Sequence, residues 1–185
     1  KHADSSPLYQ VVPGPLVAPG WSHHPEGAFA INAQTSGLSG MFRCMGLTDI
    51  DTIAAPTYDL VNRVKSDNNV INPQSIALWP MGQVGSDIYH LSALTGAHIA
   101  YTDYLRGGIP YVSPSNKTLN VSGLCDSSGN PIIIDQARGN FLNKQGICTG
   151  ARINGWRFWG NRTAAYPGNT DPKDTFIPVR RMFNW

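Results

Sequence analysis

Charge is scarce in this 185-residue chain, in which Asp, Glu, Lys and Arg make up 14% against roughly a quarter in an average domain. Glu26 is the sole glutamate, which leaves little material for the paired carboxylates of glycoside hydrolysis. The three cysteines, Cys44, Cys125 and Cys148, form no C-x-x-C pair, and any pairing leaves one over. No apolar signal segment opens the chain, so free thiols in a reducing compartment are the expectation. No run of about 18 apolar residues is present, so no helical membrane span is expected. The G-x-S-x-G elbow that exposes a nucleophilic serine is missing, as is the GxxxxGK[ST] loop that cradles phosphates.

Against these shortages stands an apolar fraction of 41%, enough for one domain with a hydrophobic core and too much for a disordered chain. Gly and Pro are plentiful, 19 and 14 respectively, so long turns must separate the regular elements. The net charge of +2 hides an asymmetry. Residues 1–105 carry four Lys and Arg against eight Asp and Glu, and residues 106–185 carry ten against four. The later cations are scattered, with no basic run beyond Arg180 and Arg181. That is a weak footprint for nucleic acid. Complementary halves suit head-to-tail self-association at least as well. The sequons at Asn116, Asn120 and Asn161 are read as chance in a chain rich in Asn, Ser and Thr.

Local patterning predicts an α/β fold. Leu8–Ala18 reads as a strand interrupted by Pro13 and Pro15. A helix opened by Pro25 and Glu26 ends near Gly37 or Gly40. Phe42–Thr48 reads as a buried strand. Next come a helix from Pro56, with Leu60, Val61 and Val64 on one face, and a strand at Ile76–Trp79 stopped by Pro80. Ser86 is expected to cap the longest helix, carrying Ile88, Leu91, Thr95, His98, Ile99, Thr102 and Leu105 to Gly107 and Gly108. Strand and helix thus alternate, which predicts a parallel sheet flanked by helices. Further on, Pro131–Ile134 is expected as a short strand and Asp135 as the cap of a brief helix closed by Gly146. Asn154-Gly155 is the preferred two-residue hairpin turn, because both positions need positive φ. It predicts a β-hairpin over residues 150–159, with Trp156 and Phe158 on one face and Arg157 and Trp159 on the other. Phe176 begins a last element. The chain starts without methionine and stops on Trp185 with no closing turn, as expected of a single domain, residues 1–185, excised from a longer protein.

Each candidate for chemistry has a plainer reading beside it. His23 and His24, being adjacent, should point in different directions and make a poor metal pair, and no third ligand lies at a useful spacing. His98 falls on the apolar face of its helix, the place of a hydrogen-bonded core histidine rather than a general base. Asp49 and Asp51 end a strand, where ligands gather in open α/β sheets, yet no Gly-rich loop accompanies them. Cys44 lies inside an apolar run and reads as buried and inert. The aromatics Trp156, Phe158 and Trp159 would suit stacking on a sugar or a base, but on a tight hairpin they divide more simply between core and interface. No catalytic residue, cofactor site or metal site is expected.

From Ile76 onward the sequence resembles the contractile phage tail sheath family. The segment Gly155–Thr163 is similar to that family's G-x-R-x-W-G-N/A-R-T hairpin, and Phe176–Asn184 to its V-R-R-[ML]-F segment. Asp135–Ile147 resembles its LN-x-x-G-I helix and strand, Ser113–Asn116 its [SA]-P-[SA]-N loop, and Pro15–Ser22 its opening strand. The resemblance implies a three-layer subtilisin-like domain without protease activity; the protease's own Asp, His-Gly and Gly-Thr-Ser-x-Ala signatures are missing here. It also implies a virion protein, made and assembled in the bacterial cytoplasm, whose copies stack as helical six-fold rings around a tail tube. The ring stack would contract to drive the tube through the host envelope. Its partners would be other sheath subunits, the tube protein, the baseplate and the tail terminator, with no direct nucleic acid and no membrane insertion. Arms at both ends, which this fragment is expected to lack, would add strands to neighbouring sheets. Trp156, Trp159, Arg162, Arg180 and Arg181 are the expected interface or structural residues. Sheath subunits of R-type bacteriocins or type VI secretion share this physics, and a subtilisin-fold hydrolase is the remaining alternative.

Overall fold

A computed structural model of the chain describes residues 14–35 and 43–184. Five strands, β1 (Pro15–Val17), β2 (Met45–Asp49), β3 (Ser75–Leu78), β7 (Ile147–Arg152) and β8 (Trp156–Trp159), form the main sheet in the spatial order β1-β2-β3-β7-β8. The first three pairings are parallel and the last is antiparallel. β2 and β3 are buried along their whole length, the pattern of strands covered on both faces. The alternation read from the sequence therefore yields a mostly parallel sheet, and the Asn154 turn yields the hairpin. Asn154 and Gly155 take φ of 47° and 93°, the left-handed region that Gly enters without strain and Asn tolerates.

Helices cover both faces. A side chain at Gly46 would strike Ile31 and Thr35 of α1 (Pro25–Thr35), whereas Leu47 lies against Gly96 of α3 (Leu91–Tyr104). Successive strand residues point to opposite faces, so α1 and α3 sandwich the sheet. Phe158 packs toward His98 of α3, ring centroids 5.3 Å apart. Its neighbour Trp159 turns to the other face, against Gly139 of α4 (Gln136–Asn143). α2 (Val61–Asp67) follows a turn at 57–60 and ends where Asn69 takes φ 53°. α4 starts as expected, with the Asp135 carboxylate accepting from Arg138 N at 2.8 Å.

The chain closes through α5 (Pro172–Thr175) and α6 (Ile177–Asn184). Asn184 and Gln74 exchange amide hydrogen bonds of 2.8 and 3.2 Å, tying α6 to the entry of β3. The outer edge of β8 is covered by residues 116–119. There Asn116 N donates to Phe158 O, Phe158 N to Lys117 O, and Leu119 N to Trp156 O, at 2.7–2.9 Å. β1 is the terminal strand at the other margin.

Three expectations require correction. The longest helix begins at Leu91 rather than after Ser86. Gly85 and Ser86 turn a hairpin instead, pairing β4 (Met81–Val84) with β5 (Asp87–His90), and Gly85 takes φ 62°. β6 (Gly123–Cys125) pairs the other side of β4 to complete a small antiparallel sheet. Pro131–Ile134 is not a strand; only Pro131 bridges to Cys125. Finally, the imidazoles of His23 and His24 do not diverge, their centroids lying 3.9 Å apart. The expected ends of α1 at Gly37 or Gly40, and the strand starts at Leu8 and Phe42, lie outside the described residues.

Candidate functional site

Open parallel sheets bind ligands beyond the C-terminal ends of their strands, and here that place is occupied by a polar knot centred on Asp49. β2 delivers Asp49 to the sheet end, where burial obliges its carboxylate to find donors. Ser22 Oγ and Ser92 Oγ donate to Asp49 Oδ2 at 2.7 and 2.6 Å, and Ser92 N donates to Oδ1 at 2.8 Å. Ser92 lies in the first turn of α3, so Asp49 caps that helix from a distant strand and satisfies one of its free N–H groups. Asp49 N in turn donates to Ser22 Oγ at 3.2 Å.

Histidines surround the knot. His90 Nδ1 stands 3.7 Å from Asp49 Oδ2, and the His23 ring stacks on His90 at 5.1 Å. Burial, with His24 and His90 adding to it, lowers the pKa of His23 from its ordinary value. A recess of about 140 Å³ opens beside them, lined by His23, Asp51, Ile53, Pro80, His90 and Ser127 among others.

An Asp, a His and two Ser thus meet in one place, which invites comparison with a hydrolytic triad. The geometry differs where it matters. A triad serine donates to the imidazole that will take its proton, whereas both serines here donate to the carboxylate. Both are also buried, out of reach of a substrate carbonyl. Ser22, His90 and Ser92 escaped the sequence reading because they lie far from Asp49 along the chain. The legible signal was the acid at a strand end.

The other candidates are occupied within the domain. His98 is buried, and its Nε2 donates to Pro114 O at 2.9 Å, the arrangement of a core histidine. The thiols of Cys44, Cys125 and Cys148 are free and buried. Burial pushes the Cys44 thiol up to about 11 and that of Cys148 up to about 12. Arg181 of α6 is 7% exposed and pairs with Asp103 of α3. Arg180 pairs with Asp174 at 3.0 Å. The Arg162 guanidinium lies between the rings of Tyr166 and Phe176, 4.4 and 4.2 Å from their centroids. Trp156 Nε1 donates to Ser122 O and Trp159 Nε1 to Asn140 Oδ1. Among the described residues, Lys65 is a buried cation whose hydrogen bonds go to carbonyls rather than to a carboxylate. Lys65 Nζ donates to Gln145 O at 2.6 Å and Tyr166 O at 2.8 Å, and desolvation lowers its pKa to about 8.

What the surface offers instead is apolar. The solvent side of α3 carries Ala97, Ala100, Tyr101 and Tyr104, with Leu105 just beyond; Tyr104 is 77% exposed. The one charged residue on this helix, Asp103, is spent on Arg181. An uncharged face rich in tyrosine has the composition of a protein interface. No helix among the described residues is long and apolar enough to cross a membrane.

No family model matches the chain. It is 29% identical, over 97% of its length, to a prophage major tail sheath protein of Pseudomonas aeruginosa strain UCBPP-PA14, of which it spans 45%. Its fold is similar to chains in the contracted sheath of PVC, an extracellular contractile injection system, with TM-score 0.67, 19% identity and 98% of the chain covered. It is also similar to chains in the contracted helical sheath of the anti-feeding prophage, with TM-score 0.66, 22% identity and 99% covered. A chain of the anti-feeding prophage baseplate assembly gives TM-score 0.63 at 23% identity, again over 99% of the chain. The chain spans about half the length of each of these proteins, 46–48% of the solved ones. In sequence the chain is thus similar to a tail sheath protein, and in fold to chains of contractile sheaths.

Proposed function

We propose that the chain is the core of a structural, non-enzymatic subunit of a contractile phage tail sheath. Its copies stack in helical hexameric rings around a tail tube, and the stack contracts to drive the tube through the host envelope. The observation that carries this reading is similarity to a tail sheath protein over nearly the whole chain. The direction in which the domain spends its side chains agrees with it: the polar groups of the strand-end knot are consumed by one another, while tyrosines are left facing outward. Contacts between copies that do not close on themselves build a helix rather than a fixed oligomer. Contraction without a nucleotide is then relaxation of a trapped assembly into better interfaces. The subtilisin-like three-layer description rests on the family resemblance and agrees with helices on both faces of the sheet.

A second reading, a sheath from a related injection machine, is favoured by the fold neighbours, which belong to such systems. The mechanics are the same in both. Electron microscopy of the full-length protein tests the shared claim, with tubes or polysheaths expected and persistent monomers counting against it. A packaged genome in the native particle separates phage from injection machine. An active-serine probe is expected to leave the protein unlabelled, and labelling lost with one serine replacement would revive the hydrolase alternative.

A further inference from the structure

The segment between β1 and α1 is anchored to the sheet end at Ser22 and at the histidines that follow it. β1 has three residues, paired among the described residues with β2 alone. The turn that follows is closed by Trp21 N and Ser22 N donating to Ala18 O at 3.1 and 2.9 Å, and Trp21 itself is 72% exposed. Beyond the two hydrogen bonds between Ser22 and Asp49, a row of imidazoles joins this segment to the far side of the sheet end. His24 and His23 lie 3.9 Å apart, and His23 and His90 lie 5.1 Å apart with planes 21° from parallel. His90 sits at the junction of β5 and α3, so the stack ties two elements that are remote in sequence.

We propose that His23, His24 and His90 form an acid-released latch, which holds the β1–α1 segment on the C-terminal end of the sheet at neutral pH and frees it on protonation. Neutral imidazoles stack as ordinary aromatic rings. Once His23 and His90 are both cations, like charges face one another 5.1 Å apart in a partly desolvated place, where screening is weak; Asp49 Oδ2, 3.7 Å from His90 Nδ1, offsets part of that repulsion. His23 has a second reason to resist the proton. Its Nδ1 is buried without a hydrogen-bond partner, and the imidazolium needs acceptors at both nitrogens. The other charged groups facing it are Asp49 at the end of β2 and Asp51 just after it. Both favour the cation, but Asp49 is already engaged by two serines and Asp51 Oδ1 accepts from Ile53 N. Burial and the neighbouring histidines outweigh them, so the His23 pKa is lowered from 6.5. A group harder to protonate in the closed form stabilises that form fully above the free value, about 6.5, and the stabilisation is lost as pH falls below it. Opening would lift β1 from β2 and bare an edge of the main sheet.

Hydrogen exchange of the chain at about pH 7.5 and about pH 5, corrected for intrinsic rates, tests the latch. Residues 15–24 are expected to exchange about tenfold faster relative to α3 at the lower pH. Burial also lowers the pKa of His98, so the local readout matters: acid loosening spread evenly over α3 and the sheet would overturn the proposal. In a His23→Phe/His90→Phe double variant, which keeps the ring stack and drops the charge, protection of 15–24 should no longer depend on pH. Retained acid dependence in that variant sinks the idea. Proton NMR of the unaltered chain supplies a second test, independent of whether the variant folds. His23 must titrate below the ordinary histidine value, and its titration at that value refutes the latch.

Discussion

Arg181 and Asp103 meet across 78 positions of sequence, joining the last helix to the C-terminal end of the longest one. Both side chains are largely withdrawn from water, 7% and 17% exposed. A paired charge in such a place is tolerated, whereas a widowed one is not. Arg181→Ala should therefore lower stability by about 3 kcal/mol, read as a shift in urea midpoint. Arg180→Ala, whose partner Asp174 is 29% exposed, should cost about 1 kcal/mol. Equal effects would mean that the two arginines are not distinguished by burial.

Lys65 makes stability depend on pH in the alkaline range. Desolvation lowers its pKa from 10.5 to about 8 in the folded chain. Between these values the unfolded chain holds a proton that the folded chain has released, so the contribution of Lys65 to stability rises with pH across the window. Below about 8 its penalty is constant. Lys65→Met should remove a rise of about 2–3 kcal/mol between pH 8 and 10.5, measured as the difference from the parent in denaturant titrations. Identical slopes in parent and variant would contradict the assignment.

The thiols should be silent. With Cys44 raised to about 11 and Cys148 to about 12 by burial, almost no thiolate exists at neutral pH. Iodoacetamide should leave the native chain unmodified and label all three cysteines after denaturation. Rapid labelling of any one in native buffer would show that its burial is only transient.

Gly146 ends α4 with φ 69°, and a Cβ there would lie 2.4 Å from Tyr166 O and 2.6 Å from Thr163 O. Those are backbone atoms and cannot step aside. Gly146→Ala should cost about 3 kcal/mol through combined strain and overpacking, whereas Gly155→Ala, with nothing within 4 Å, should cost about 1 kcal/mol for its positive φ alone. Thermal melts of both variants give the comparison.

Tyr101 and Tyr104 separate folding from assembly. Replacing both with Lys changes an exposed face, so stability should stay within about 0.5 kcal/mol of the parent. Under the proposed function the same change in the full-length protein should reduce tube formation seen by electron microscopy. Normal tubes would place the subunit contacts elsewhere on the surface.

What the sequence revealed was governed by range. The hairpin at Asn154-Gly155 and the stop at Pro80 follow from rules acting over a few residues, and they hold. The β4–β5 hairpin was missed because Ser86 satisfies two rules at once, a helix cap and a turn residue. The apolar spacing of Ile88 and Leu91 fitted a helix equally well. Pairing with β6, some forty residues later, decided between them. The Asp49 knot illustrates the same limit, since its acid was legible at a strand end while its donors are set by how α3 and the β1–α1 turn converge. Arg180 and Arg181 stood out as a pair, but nothing local distinguishes a cation destined for a buried aspartate from one destined for a neighbour.

The segment 116–119 lies along β8 like a selvedge on cloth. With that margin bound off, a strand brought from outside to the main sheet meets, among the described residues, an open border on the β1 side, and fabric woven from such sheets would grow from there.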